Sequence, residues 1–224
     1  MNIVESLIAV VAPHDCVGCG ERGELLCSKC IHLLGEPVHG RCVFCGSLIF
    51  GGSICNQCSH DRIINRLNIR CTYKGVPKLL IKQLKYHHAR SAAKVIADSL
   101  FMAPEQIHER TVIVPIPTAT SRIRQRGYDQ SVLIARHLGK RYGVKVSELL
   151  VRHGQTRQVG SHRNTRLVQL NGSYSVNNRI QTVGAHVILV DDVMTTGATI
   201  ETASRVLIKA GARKVDACIF ARAE

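Results

Sequence analysis

Tryptophan is absent from this 224-residue sequence, and only 4% of its residues are aromatic. A core built from it must be aliphatic, which suits a Val/Ile/Leu-rich parallel sheet covered on both faces. Aromatic platforms for stacking unpaired bases are scarce as well, with five Tyr and four Phe in the chain. A membrane-spanning run is also missing. The apolar stretch from Ile3 to Ala12 is interrupted by Glu5 and is about ten residues long, too short to cross a bilayer. It has neither the basic start nor the small-residue cleavage site of a secretion signal. The expectation is a short helix packed on the body of a cytoplasmic chain with no membrane partner.

Acidic residues are in short supply: 16 Asp and Glu stand against 30 Lys and Arg. The deficit is uneven. Residues 1–60 carry three basic against five acidic side chains, residues 61–150 carry 17 against six, and residues 151–224 carry ten against five. The positive surplus therefore belongs to the second part of the chain. It suits a phosphate-rich partner, either a small phosphorylated ligand or nucleic acid.

Cysteine is concentrated at the other end. Eight of the ten cysteines form four CxxC pairs before residue 60, namely Cys16/Cys19, Cys27/Cys30, Cys42/Cys45 and Cys55/Cys58. Two such pairs supply one tetrahedral site for Zn²⁺, so four pairs supply two. Spacing alone leaves three arrangements open: sequential pairing, cross-braced pairing, or one zinc with two degenerate pairs. Disulfides compete, but a chain without a secretion signal is expected in a reducing compartment. Closed four-thiolate sites fold segments too small to make a core, so a scaffolding role is expected here rather than catalysis. With four thiolates on each ion, the module's charge would fall from −2 to about −6, which points the electrostatic grip on any polyanion elsewhere.

From Arg62 onward the pattern changes to α/β. A strand is expected around Asn68 to Tyr73. Two helices follow, marked by Leu79, Leu80 and Leu84 and then by Ala92, Val95, Ile96 and Leu100. Lys78, Lys82 and Lys85 fall on one stripe of the first helix, where they serve either solubility or anion binding. His87 and His88 fall at its end, where histidine complements the helix dipole. The next strand, Thr111 to Pro117, is stopped by its prolines, and Arg122, Arg124 and Arg126 are expected in the loop beyond it. Arginines past the C-terminal end of a strand are well placed for phosphate or pyrophosphate. Strand-like residues 144–152 lead to a polar stretch, residues 153–176, that reads as a loop or lid.

The run from His186 to Ala221 is a βαβ unit, with strand His186 to Val190, helix Thr199 to Ala210, a stop at Gly211 and strand Lys214 to Ala221. Between strand and helix stands DDVMTTGAT. Asp191 and Asp192 place two carboxylates where a ribose diol donates hydrogen bonds or Mg²⁺ binds. Thr195, Thr196, Gly197, Ala198 and Thr199 then form a small-residue turn whose free NH groups and hydroxyls suit a phosphate. A sugar phosphate carries both groups.

This strand, loop and helix resemble the phosphoribosyl pyrophosphate loop of type I phosphoribosyltransferases. The order CxxC pairs, LKY, VPIP, RQRGYDQ, TRQVGSHR and VILVDDVMTTGAT resembles the ComF family of competence-associated proteins over nearly the whole chain. The resemblance implies an α/β fold with two parts: a double zinc-ribbon module over residues 1–62 and a type I phosphoribosyltransferase-like parallel-sheet domain over residues 63–224. It implies two structural zinc ions and Mg²⁺ accompanying the phosphoribosyl ligand. Asp191 and Asp192 would hold the ribose hydroxyls and Thr195 to Thr199 the 5-phosphate. The turn from Pro115 to Thr118, with Arg122 and Arg126, would hold pyrophosphate, and Gln158, Arg163 and Arg166 would belong to a lid. Asp129 stands where the family usually has Asn, and its carboxylate would repel an anion. The implied role is DNA uptake in natural transformation, with single-stranded DNA and a protein of the competence machinery as partners. The alternative is an active enzyme that moves a phosphoribosyl group from phosphoribosyl pyrophosphate to a nitrogen acceptor.

Overall fold

A computed structural model of the chain describes residues 14–38, 40–50, 53–60, 62–153 and 173–223. Two short antiparallel strands come first, β1 (His14–Asp15) and β2 (Arg22–Gly23), followed by helix α1 (Asn56–His60). The chain then runs through β3 (Arg66–Thr72), α2 (Gly75–Tyr86), α3 (Ser91–Ser99), β4 (Thr111–Pro115), α4 (Thr120–Arg126), α5 (Gln130–Tyr142) and β5 (Lys145–Val146). An antiparallel pair, β6 (Leu150–Arg152) with β7 (Tyr174–Val176), and helix α6 (Arg179–Thr182) precede the last unit. That unit is β8 (His186–Met194), α7 (Ala198–Lys209) and β9 (Lys214–Arg222).

Five strands form one parallel sheet in the order β3-β9-β8-β4-β5. Because successive side chains alternate across a strand, each central strand feeds two cores. Ile113, Ile188, Val190 and Phe220 pack with Leu80, Leu84, Ile96, Ile134 and Leu138 of α2, α3 and α5. Val112, Val114, Val187, Leu189 and Ile219 pack with Ile200, Ala203 and Leu207 of α7. The helix after β4 thus covers one face and the helix after β8 the other. Adjacent strands whose connections leave in opposite directions open a crevice at their C-terminal ends, where open α/β sheets hold ligands. Leu79, grouped above with the apolar stripe, is 43% exposed instead.

Each cysteine group is attached to a different face of this sheet. Cys16, Leu25, Leu26, Cys30 and Leu34 join the core under α2 and α3. Val43 is buried in the core under α7, with Val38, Phe44 and Ile54 packed at its margin. Cys71 and Cys218 are buried in β3 and β9, and burial pushes both thiols up to about 12. They are inert core residues.

At the N-terminal end of the sheet, Asp216 is fully buried and accepts hydrogen bonds from Asn65 Nδ2 (2.9 Å), the Arg66 NH (3.1 Å), Gln106 Nε2 (2.8 Å) and His186 Nε2 (2.8 Å). The second nitrogen of His186 lies 3.0 Å from His108 Nε2. This network ties β3, β8 and β9 together far from the crevice. Among the described residues no helix is long and apolar enough to cross a membrane.

Candidate functional site

The crevice begins where β4 stops. Its last ladder partner is Pro115 opposite Val190, whereas β8 continues beside β9 to Met194, which is level with Arg222. Pro115 and Pro117 explain the difference, because proline donates no hydrogen bond and ends the pairing on that side. The strand expected to finish at Val190 therefore runs four residues further, and Asp191 and Asp192 lie on an extension that, among the described residues, has no strand on its β4 flank. Asp191 Oδ1 accepts from the Ser131 hydroxyl (3.1 Å) and from the Asp192 NH (2.8 Å). Burial, then the Asp192 charge, push the Asp191 carboxyl up to about 8, against the pull of the Asp192 NH, Lys85 and Ser131. Asp192 is 3% exposed.

Lys85 is the partner of that second carboxylate, with Nζ 2.5 Å from Asp192 Oδ2. The lysine stripe on α2 is therefore divided: Lys78 and Lys82 face solvent and Lys85 turns inward. A divalent ion held directly by Asp192 would share one carboxylate with an ammonium, two cations a few ångströms apart in a desolvated place. The acidic pair does not fit a protein-bound Mg²⁺.

The turn after β8 has the form expected of an anion cradle. Gly197 has φ +79° and starts α7 with no side chain of its own to cap it, while the Ala198 NH donates to Thr196 Oγ1 (3.4 Å). Thr195 and Thr196 are exposed, Ala198 and Thr199 half-buried. Uncapped NH groups at a helix N-terminus attract an anion, and the small residues allow close approach. One neighbour was not foreseeable from the sequence. A Cβ added at Gly197 would lie 2.7 Å from Cε1 of Phe44, so this residue of the second cysteine group rests on the cradle. The Arg62 guanidinium lies 3.8 Å above the Phe44 ring and Arg222 Nη2 donates to Val43 O (2.9 Å), which holds the knuckle there.

On the β4 side, Thr118 is committed to Asp129: its NH (2.8 Å) and hydroxyl (3.0 Å) both donate to that carboxylate. Asp129 also caps α5 by accepting from the Ser131 NH (2.9 Å). Three donors offset its charge, and the same bonds set Ser131 against Asp191. The arginine stretch forms helix α4 rather than the loop expected, closed by Gly127 at φ +78°. Arg122 and Arg124 are exposed on it, while Arg126 is buried and donates to Gln130 Oε1 (2.9 Å). Gln158, Arg163 and Arg166, like residues 3–12, lie outside the described residues. The last residues of that polar stretch form β7 rather than the loop expected, and there the buried hydroxyl of Tyr174 has no hydrogen-bond partner among the described residues; burial first, and the Asp191 and Asp129 charges after it, push its pKa up. Ser131 and Tyr174 carry no motif that sequence reading recognises.

The cysteines pair sequentially, Cys16, Cys19, Cys27 and Cys30 in one group and Cys42, Cys45, Cys55 and Cys58 in the other, with the sulfurs of each within 4.8 Å. A tetrahedron with metal–sulfur bonds of about 2.3 Å has edges of about 3.8 Å. The Cys16–Cys27, Cys19–Cys27 and Cys45–Cys55 separations are 3.7, 3.8 and 3.6 Å. Backbone NH groups of Gly18 and Cys27 point at Cys16 Sγ, both at 3.4 Å. Each group is thus able to hold a tetrahedral ion.

Comparison with known proteins agrees with this arrangement. The family model for the phosphoribosyl transferase domain matches residues 109–224, just over half of the chain, and includes β4, β8, the cradle and α7. Competence protein ComFC of Bacillus subtilis is 25% identical over 197 residues, 84% of this chain and 80% of that protein. DNA utilization protein YhgH of Salmonella typhimurium is 26% identical over 207 residues, covering 88% and 90%. Competence protein F of Haemophilus influenzae is 26% identical over 226 residues, covering 93% and 96%. The chain belongs to the phosphoribosyl transferase domain family and groups there with ComF-type proteins.

Proposed function

We propose that this chain binds a ribose 5-phosphate group, carried by phosphoribosyl pyrophosphate or a related compound, and uses that capacity in handling single-stranded DNA during uptake. The observation that carries the reading is the juxtaposition on β8 and α7 of an acidic pair and an uncapped helix start with Gly197 at positive φ. Asp191 and Asp192 would accept from the 2′ and 3′ hydroxyls, and Thr195 to Thr199 would cradle the phosphate. Arg122, exposed on α4, and Arg126, buried behind it, would serve the Pro115–Thr118 turn for a pyrophosphate or a phosphodiester chain, with Gln158, Arg163 and Arg166 as lid residues. Structural zinc in both cysteine groups makes residues 1–62 a scaffold. The names of the relatives, competence and DNA utilization proteins, support the DNA role, as does the basic surplus of residues 61–224. A protein of the competence machinery is the expected macromolecular partner.

The second reading is transfer of the phosphoribosyl group, for which the matched domain is named, to a nitrogen acceptor. Such a reaction needs positioning, neutralisation of departing pyrophosphate and exclusion of water. Calorimetric titration with phosphoribosyl pyrophosphate, then a pyrophosphate-release assay over candidate bases, separates the two. Binding with no release under any acceptor supports the binding role; release with one base establishes the enzyme. Failure to retain single-stranded DNA at moderate salt would remove the DNA-handling part.

A further inference from the structure

We propose that Lys85 is the resident counter-cation of the ribose site, standing beside Asp192 where a protein-held Mg²⁺ would otherwise stand, so that the site takes a ribose 5-phosphate group without a divalent ion. The inference rests on the ribose 5-phosphate reading above. Its foundation is the ion pair at 2.5 Å, whose side chains are 15% and 5% exposed for Lys85 and Asp192. Desolvated ion pairs of this kind are costly unless each charge keeps its partner.

The lysine is placed by a locked helix end rather than by a flexible stem. The buried Tyr128 hydroxyl donates to Leu84 O, and Gln83 O accepts from the NH groups of His87 and Ala89, both at 3.2 Å. Lys85 lies inside this clamp, at the one position of its stripe that turns inward. Asp191 is held independently, by the Ser131 hydroxyl and the Asp192 NH. Of the two neighbouring carboxyl groups, Asp192 is therefore paired with a lysine and Asp191 is hydrogen-bonded only by uncharged donors. A divalent ion bound to the pair would have to expel the ammonium or bear its repulsion. Any Mg²⁺ arriving with a pyrophosphate would accordingly stay on the ligand's own oxygens.

The test uses the full zinc-loaded chain with ribose 5-phosphate, which has no pyrophosphate to chelate Mg²⁺, and Mn²⁺ as a spectroscopic probe. Calorimetry should give wild-type affinities that agree within about twofold with and without Mg²⁺, and electron paramagnetic resonance should detect no Mn²⁺ on the wild type. Lys85→Met should lose about tenfold or more of its affinity in Mg²⁺-free buffer, gain a Mn²⁺ site and recover part of the affinity when Mg²⁺ is added. Lys85→Arg, which keeps the charge, should keep most of the affinity and gain no Mn²⁺ site. A lysine that is only structural would produce no new metal site. Wild-type affinity that rises tenfold or more with Mg²⁺ would overturn the proposal, as would Lys85→Met binding like wild type. If Lys85→Met does not fold, Lys85→Gln serves in its place, and the wild-type Mg²⁺ comparison still decides. A wild type that binds no ribose 5-phosphate in either buffer would instead remove the ribose-site reading itself, which separates the two failures.

Discussion

Gly197→Ala examines the contact between the second cysteine group and the turn that starts α7. Two costs add at this position. Alanine must adopt φ near +79°, which disfavours an L-residue by roughly 1–2 kcal/mol. Its methyl must also displace Phe44, whose Cε1 and Cζ would be 2.7 and 3.5 Å away. The ring does not tilt freely, because the Arg62 guanidinium lies 3.8 Å above it. Forcing an extra methyl against a held ring costs roughly 1–3 kcal/mol. The single variant should thus lose roughly 2–5 kcal/mol. In a Phe44→Ala background only the backbone cost remains, and the same substitution should cost about 1–2 kcal/mol. Urea unfolding of the four proteins of this cycle, at constant free zinc, measures the difference. Titration with ribose 5-phosphate should show affinity lost in Gly197→Ala and partly regained in the double variant. Strict additivity, with coupling under about 0.5 kcal/mol, would refute the reasoning, since Phe44 would then not rest on the cradle.

Three further outcomes are expected. Asp191 is raised to about 8 by burial and then by Asp192, so the folded state keeps a proton that the unfolded chain loses near pH 3.9. The stability tied to that proton is full below this value and is lost as pH rises through 8. Asp191→Asn should therefore be more stable than wild type at pH 8–9, seen in thermal unfolding, while ribose 5-phosphate binding is lost. Asp216 is the opposite case. Burial raises its pKa, but hydrogen bonds from His186, Gln106 and Asn65 prevail and hold it below the usual carboxylate value. Its contribution is present above pH 3.9 and lost as pH falls through the folded value. Asp216→Ala should cost about 3–5 kcal/mol at neutral pH and flatten the acid limb of the stability profile. Zinc analysis should find about two ions per chain, and about one in either Cys19→Ser or Cys45→Ser. Only Cys45→Ser should weaken ribose 5-phosphate binding, because its group carries Phe44.

Several features were legible because they are local. The strands of β8 and β9, the helix between them and the turn at Gly197 follow from an apolar run, a turn-forming segment and a helical stripe that occupy consecutive residues. The cysteine groups were legible as pairs for the same reason, since a CxxC is complete within four residues. What was misread depends on distant partners. The continuation of β8 through Asp191 and Asp192 to Met194 is fixed by the ladder with β9, and Arg126 lies 5.6 Å from the ring of Tyr86 at the end of α2. Asp129 looked adverse to an anion as an isolated carboxylate, yet Thr118 and Ser131 supply three donors that make it a clamp.

The order of apolar, acidic and small residues in this sequence determined by itself an α/β fold, a small-residue turn between the acidic pair and the last helix, and four CxxC pairs, because each is written in short-range pattern. Tertiary structure alone decided that the thiols pair sequentially on opposite faces of the sheet, that Phe44 rests on Gly197 and that Lys85 meets Asp192. Those three facts join segments separated by up to about 150 residues, and only packing brings them together. The physical reason is that a pattern specifies which surface each element must bury, while the choice of partner across that surface depends on the shape and charge of every other element.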